Sequence, residues 1–282
     1  MFLSKCSTNS IKDAAKSIAA GHLVAFPTET VYGLGADATN EEAVAKIYRA
    51  KGRPADHPLI VHIASMDAIG DWAVDITEYA INLARDFWPG PMTLVFNRSA
   101  IAQDFITGGQ NTVGLRVPNQ PIALALLKEF EELGGNGIAA PSANRFGAVS
   151  PTTAEAVMDE LENYLDKTLD VILDGGPCQV GVESTIIDCT TQTPQILRLG
   201  AITREMIQES TGLLVVEEIK SDIRVSGSLE SHYSPSAHVV LDIEPQSGEG
   251  FIAMDSIQTP PGAIRLAAPS SVEAYACDIY SA

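Results

Sequence analysis

Residues 23–63, LVAFPTETVYGLGADATNEEAVAKIYRAKGRPADHPLIVHI, constrain the fold of this chain more than any other stretch. The apolar run 23–26 stops at Pro27, which has no amide hydrogen for a sheet ladder and so predicts a strand end. Thr28, Glu29 and Thr30 follow at once. That is where an α/β protein places ligand contacts, because side chains there face open space on a rigid base. After a polar glycine loop, Asn40 is a helix cap, with Glu41 and Glu42 in the favourable first turn and Val44, Ile47 and Tyr48 at helical spacing. The helix delivers Lys51, Gly52, Arg53 and Pro54 into a loop, and Pro58 opens a second strand, 59–63, that carries His62 among apolar neighbours.

The same design returns later, where the apolar run 137–140 ends at Pro141 and leaves Ser142, Ala143 and Asn144 at its tip. Helices are expected over 10–20, near 66–72, over 77–87 and 122–130, from the pair Thr152 and Glu155 to about 165, and from Thr203 to about 209. Strands are expected over 92–96, 113–117, 170–173, 182–188, 195–199 and 213–216. The interleaving predicts an α/β domain, a mixed twisted sheet with flanking helices, over 1–219. Gly227, Ser228, Ser231, Ser234 and Pro235 mark 220–237 as a linker. Short strands at 238–243, 251–254 and 263–267 and a helix from Val272 then predict a small second α/β domain over 238–282, which reads as incomplete because no stop signal stands at its end.

The chain of 282 residues, 45% hydrophobic and 19% charged, suits a globular protein. No apolar run approaches the roughly 20 residues of a membrane helix, and the first ten residues carry no secretory signal, so an intracellular, cytoplasmic location is expected. The four cysteines, Cys6, Cys178, Cys189 and Cys277, are scattered, without metal spacing to any histidine. A net charge of −18 argues against tight sequence-independent binding of nucleic acid. Any anionic ligand must be held locally, by the few cations near the motifs.

Gly33, Gly35 and Ala38 spell G-x-G-x-x-A before a helix, but residues 27–32 separate them from the strand, which a dinucleotide fingerprint does not allow. Lys51 and Arg53 read either as a solvated helix end or, fixed by Gly52 and Pro54, as a phosphate clamp. His57 and His62 stand five apart in extended chain and cannot converge on a metal. Arg116 lies in the apolar run VGLRV, and a buried arginine needs an anionic partner.

PTETVYGLGADA, the KGRP after it, HPLIVHI, PSAN and HYSP together resemble the Sua5/YrdC/YwlC family, the threonylcarbamoyl-adenylate synthases, over roughly residues 10–210 with HYSP beyond. The resemblance implies a YrdC-like catalytic domain, a linker that folds over the nucleotide pocket, and a Sua5-type C-terminal domain. It implies a nucleotidyltransferase that makes L-threonylcarbamoyl-adenylate from L-threonine, bicarbonate or CO2, and ATP, for threonylcarbamoyl-adenosine in tRNA. By that likeness Lys51, Arg53, Ser142 and Asn144 form the catalytic group. Arg53, His57, Thr112, Ser142, Ser150, Arg198 and Tyr233 would surround ATP, and Thr30, His62, Arg116, Ala140 and Ser184 would surround threonine. Mg²⁺ is expected on ATP rather than in a site of the chain's own, and a tRNA-handling transferase complex is the expected downstream partner. An RNA-binding module of the same fold is the rival reading, disfavoured by the acidic charge and the lack of a basic stripe.

Overall fold

The computed structural model describes residues 2–215, 222–227 and 237–282. In chain order it contains β1 (Leu3–Lys5), α1 (Thr8–Ala19), β2 (Val24–Phe26), β3 (Gly33–Asp37), α2 (Glu41–Lys51), β4 (Ile60–His62), a 3-10 turn (Met66–Ala68), α3 (Ile69–Trp72), β5 (Ala73–Val74), α4 (Glu78–Phe87), β6 (Met92–Arg98) and α5 (Asp104–Thr107). There follow β7 (Thr112–Arg116), α6 (Pro121–Glu132), β8 (Ile138–Ala139), α7 (Ala154–Leu161), β9 (Val171–Asp174), β10 (Thr185–Asp188), β11 (Gln195–Arg198), α8 (Arg204–Thr211), β12 (Gly250–Ile252), β13 (Ile264–Ala267) and α9 (Val272–Asp278). One mixed sheet runs in the order β1-β9-β2-β3-β8-β4-β7-β6-β10-β11, with β5 paired to β6. No helix among the described residues is long and apolar enough to cross a membrane.

Strand alternation divides the core between the two faces of this sheet. Val24 and Phe26 of β2 join Ala14, Ile18, Leu126 and Phe130 of α1 and α6, whereas Ala25 joins the larger cluster that holds Val44 and Ile47 of α2, Trp72 of α3 and Leu83 of α4. The same larger cluster takes Val61 of β4, Leu115 of β7, Leu94 of β6 and Ile187 of β10. His62, Arg116 and Thr93 therefore point to the opposite face, the one that α1 and α6 cover over the stretch from β9 through β2 and β3 to β8. That uncovered half of the face is where the site forms. Its outer edge is closed by Val225, which packs with Val95 and Ile186.

Several elements differ from the sequence reading. The glycine loop after Tyr32 is β3, antiparallel to β2. A Cβ on Gly35 would stand 2.7 Å from both Ile138 and Phe26, so glycine there admits Phe26 to the sheet rather than making a turn. The cap of α7 is Thr153, whose Oγ1 accepts from Ala156 N at 3.2 Å, not Thr152, and the helix ends at Leu161 rather than near 165. The strand expected over 182–188 starts only at Thr185, leaving Glu183 and Ser184 in a loop at its mouth. The described part of 213–216 forms no strand. Residues 238–243 are exposed and unpaired, and β12 and β13 make a separate two-stranded parallel sheet. An apolar run with no neighbouring strand to pair with has nothing to hold it extended.

Candidate functional site

Four neighbouring strands set out one side of a small, partly open cleft. His62 of β4 pairs in register with Arg116 of β7. On β6, Thr93 shares a 2.7 Å hydrogen bond with Ser184, which stands just before β10. Arg116 is 4% exposed and donates from Nη2 to Glu29 Oε1 at 2.6 Å, while Glu29 Oε2 accepts from Asn119 N at 2.9 Å. The anionic partner that a buried arginine demands is thus partly supplied by the chain itself. Arg116 Nε and His62 Nδ1, both buried, have no hydrogen-bond partner. Burial first, and then the Arg116 charge, push the His62 pKa down to about 3, so this ring is neutral at ordinary pH. Thr30 completes this side, its hydroxyl 2.8 Å from that of Thr28, which donates to Val31 O at 2.6 Å.

Loops build the other side. Arg53 is 6% exposed, which removes the solvated-end reading, and its Nη2 donates to Pro58 O and to Ser226 Oγ, each at 3.0 Å. Its guanidinium also lies over the Phe146 ring, 5.8 Å from the centroid. Arg198 donates through Nε and Nη2 to Ser184 O at 3.0 and 2.8 Å, and through Nη1 to Ser226 O at 2.9 Å. The described linker piece is therefore stitched across the cleft. Gln110 and Arg224 reinforce it with a reciprocal pair of bonds at 2.6 and 3.0 Å.

The cleft brings together Thr30, Arg53, His62, Arg116, Ala140, Ser142, Ser184 and Arg198 from the expected site. Lys51 is close by but turned into the protein. Its Nζ, carried on the last residue of α2, donates to Ser142 O at 2.6 Å, to Asn144 O at 2.5 Å and to Asn144 Oδ1 at 3.5 Å. Burial first, and then Arg53, hold its pKa well below the usual lysine value. Lys51 thus clamps the Ser142–Asn144 turn, and α2 can end there because Gly52 adopts φ +63°. Asn144 likewise bonds its own loop, donating to Arg145 O and Ala148 O at 2.8 Å. Ser150 is buried beneath the cleft, bonded to Glu183. His57 does not line the cleft; its ring stands edge-on to Phe146 at 5.3 Å, and its pKa is lowered by burial and then by Arg53. Thr112 lines an adjoining hollow that shares Ile60 and Ser226 with the cleft. Tyr233, with His232 and Pro235, lies outside the described residues.

Glu29, Thr93, Glu183 and Ser226 entered no site list drawn from the sequence. Glu29 had a signal, its place between two threonines at a strand tip, and the other three had none beyond their neighbours. Among the described residues no three His, Cys, Asp or Glu side chains stand close enough to hold a metal ion. The donor set instead suits anions, with three arginines lining one cleft.

A family model for the Sua5/YciO/YrdC domain, described as "Telomere recombination", matches residues 16–200. A threonylcarbamoyl-AMP synthase of Pyrococcus abyssi is 46% identical over 236 residues, 82% of this chain and 67% of that protein. One from Bacillus subtilis is 44% identical over 242 residues, 83% of this chain and 68% of that protein. The chain thus spans about two thirds of the length of these relatives. The crystal structure of P. abyssi Sua5 complexed with L-threonine superposes with a TM-score of 0.85 at 37% identity, over 99% of this chain and 86% of that one.

Proposed function

The chain belongs to the Sua5/YciO/YrdC family, and from that premise we propose that it joins L-threonine, bicarbonate or CO2, and ATP into L-threonylcarbamoyl-adenylate, releasing pyrophosphate. One observation carries the reading onto this chain's own atoms. Two buried groups without hydrogen-bond partners, Arg116 Nε and His62 Nδ1, belong to residues paired across β4 and β7 that line a cleft together with Thr30 and Ser184. A buried donor left unsatisfied is costly, so a small polar ligand with a carboxylate and a hydroxyl fits the vacancy of partners. The relative crystallised with L-threonine supports the same choice.

On this reading Arg116 takes the carboxylate of threonine, with Glu29 fixing the guanidinium plane by its bond to Nη2. Neutral His62, Thr30 and Ser184 surround the rest. The amine captures CO2 as a carbamate, and a carbamate oxygen attacks the α-phosphorus of ATP in line with the departing pyrophosphate. Atoms and charge balance without a protein nucleophile. The enzyme's contribution is alignment and fixed positive charge from Arg53 and Arg198, both immobilised by Ser226 before any ligand arrives. Mg²⁺, carried on the triphosphate by its own oxygens and water, would lower the negative charge that the carbamate must approach. The classification as a nucleotidyltransferase follows from this step. Delivery of the product to a tRNA-modifying transferase follows from the anhydride's short life in water.

Pyrophosphate release should require threonine, bicarbonate and ATP together. Omission of any one should abolish it. Release that continues without threonine overturns the reading, and so does tight, steeply salt-dependent RNA binding in a protein that makes no pyrophosphate.

A further inference from the structure

Glu183 has no role in the scheme above, yet it lines the cleft beside Arg53, Arg116 and Arg198 and is the one carboxylate to do so among the described residues. It is 8% exposed. Its Oε1 accepts from Ser150 Oγ at 2.5 Å and its Oε2 from the Tyr280 hydroxyl at 2.8 Å. The five ion pairs among the described residues do not include it. Glu29, an acid at the tip of β2, is already committed to Arg116 and Asn119. A carboxylate this deep, with hydroxyl donors on both oxygens and no cation, is in the state of half a buried pair. Each oxygen keeps a second lone pair for a further donor.

We propose that Glu183 receives the α-ammonium of threonine and takes one of its protons when the amine is carbamoylated, with Tyr280 as a positioning residue that holds the carboxylate toward the cleft. The inference rests on the synthase reading and names the group that reading lacks. Three arginines answer the anionic parts of the substrates, and the single cation among them needs an acid. Glu183 precedes Ser184 in the chain, so the ammonium would sit next to the serine already facing threonine. In the step itself the ammonium gives one proton to the Glu183 carboxylate. The freed nitrogen lone pair then forms the N–C bond to CO2 as a C=O π pair moves onto oxygen. The second nitrogen proton leaves to water, which yields the carbamate, and Glu183 loses its proton to solvent before the next cycle. Tyr280 follows α9, which packs against the loop before Glu183: Cys277 Sγ lies 3.2 Å from Cys178 O, and a Cβ on Gly181 would meet the Cys277 backbone at 2.4 Å. The C-terminal segment thereby contributes to the chemistry of the first domain.

The test compares calorimetric binding of L-threonine with that of 2,3-dihydroxybutanoate, in which a hydroxyl replaces the ammonium, to the full chain and to Glu183→Gln and Tyr280→Phe. The parent should prefer threonine by about 10- to 100-fold, the worth of a hydrogen bond between charged groups. In Glu183→Gln the preference should collapse to a few-fold while ATP affinity stays within about 3-fold, and in Tyr280→Phe it should fall part of the way. A merely structural Glu183 would weaken both acids alike. An undiminished preference for the ammonium in Glu183→Gln overturns the proposal. If that variant does not fold, an undiminished preference in Tyr280→Phe does so. Pyrophosphate release by the parent separates the two readings: its absence sinks the synthase assignment, whereas its presence with an unaltered preference in the variants sinks only the role of Glu183.

Discussion

On one side of the cleft His62, Arg116 and Ser184, with Thr93 buried behind Ser184, come from four neighbouring strands or their ends, while on the other Arg53, Ser142 and Ser226 come from three separate loops. The strand-borne side chains are placed by the ladder, so their spacing is set before any of them makes a contact. The loop-borne ones have little such frame, a single bridge from Ser142 to Gly33 of β3. They are held by side chains bonding to backbone: Lys51 to Ser142 and Asn144, Arg53 to Pro58, Arg198 to Ser184 and Ser226. A change on the strand side should therefore act on the ligand it touches. A change on the loop side should act through whichever loop it releases.

The largest expected effect tests the strand side at its one ion pair. Glu29→Ala leaves the Arg116 guanidinium buried without an anion and the Asn119 amide without its acceptor. Breaking a buried pair from one side costs about 3–5 kcal/mol, which denaturant unfolding would read directly. Threonine affinity should fall with it, since Arg116 loses its fixed plane. An unfolding midpoint equal to the parent's would mean that the ladder alone positions Arg116.

Lys51→Ala comes next and tests the loop side at its anchor. It should cost about 1.5–3 kcal/mol, the usual worth of hydrogen bonds to a charged or formerly charged donor. The KM for ATP should rise while threonine binding holds, although Lys51 does not face the cleft. Arg53→Ala belongs to the same class: because Arg53 is buried and bonded, it should lower stability as well as activity, and the expectation that it is an exposed loop charge does not stand. Weakened threonine binding in Lys51→Ala, with ATP use intact, would dissolve the division between the two sides.

A smaller, graded effect follows from His62. Its pKa in the fold is lowered from 6.5 to about 3, so between those values the unfolded chain binds a proton that the folded one does not. The stability present above pH 6.5 is therefore lost as the pH falls toward 3, at up to about 1.4 kcal/mol per unit from this one group. Unfolding free energies at pH 7, 6 and 5 should slope less in His62→Gln than in the parent by up to that amount. Equal slopes would show that His62 titrates in the fold as it does in the unfolded chain, so that burial does not hold the ring neutral below pH 6.5.

The strand side was also the more legible in sequence. Pro27 announced the strand end before Thr30, and His62 and Arg116 stood out as polar residues inside apolar runs, which is a pattern local sequence can carry. Their partner Glu29 was visible, but its pairing with Arg116 is a contact across 87 residues that no spacing encodes. The loop side was legible only as a list of motifs. A lysine at the last turn of a helix looks alike whether it reaches water or turns inward, and the difference lies in the two carbonyls of the 142–144 loop. Gly35 misled for a related reason: its glycine is explained by Phe26 and Ile138 closing over it, not by a turn. Residues 238–243 had the apolar content of a strand and lacked a neighbour, which sequence does not reveal.

The smallest effect is the most selective probe of the division. Ser226 has no reason in sequence to matter, yet its Oγ accepts from Arg53 and its carbonyl accepts from Arg198, so it joins the two cations that the proposed function turns toward the phosphates. Ser226→Ala removes only the first of these bonds. The strap should stay in place, because Val225 remains packed and the Gln110–Arg224 bonds do not involve the side chain. Arg53 then keeps Pro58 O but loses the partner that fixes its second Nη2 direction. The loss of this bond, together with the hydroxyl's long 3.5 Å bond to Pro58 O, costs about 0.5–1.5 kcal/mol and should raise the KM for ATP by roughly 2- to 12-fold while leaving the threonine Kd unchanged. Ser184→Ala, which removes bonds to both Thr93 and Arg198, is the comparison on the other side and should move threonine binding by at least a comparable factor. If Ser226→Ala shifts threonine and ATP together, the linker piece presses on the whole cleft and the two sides do not act independently.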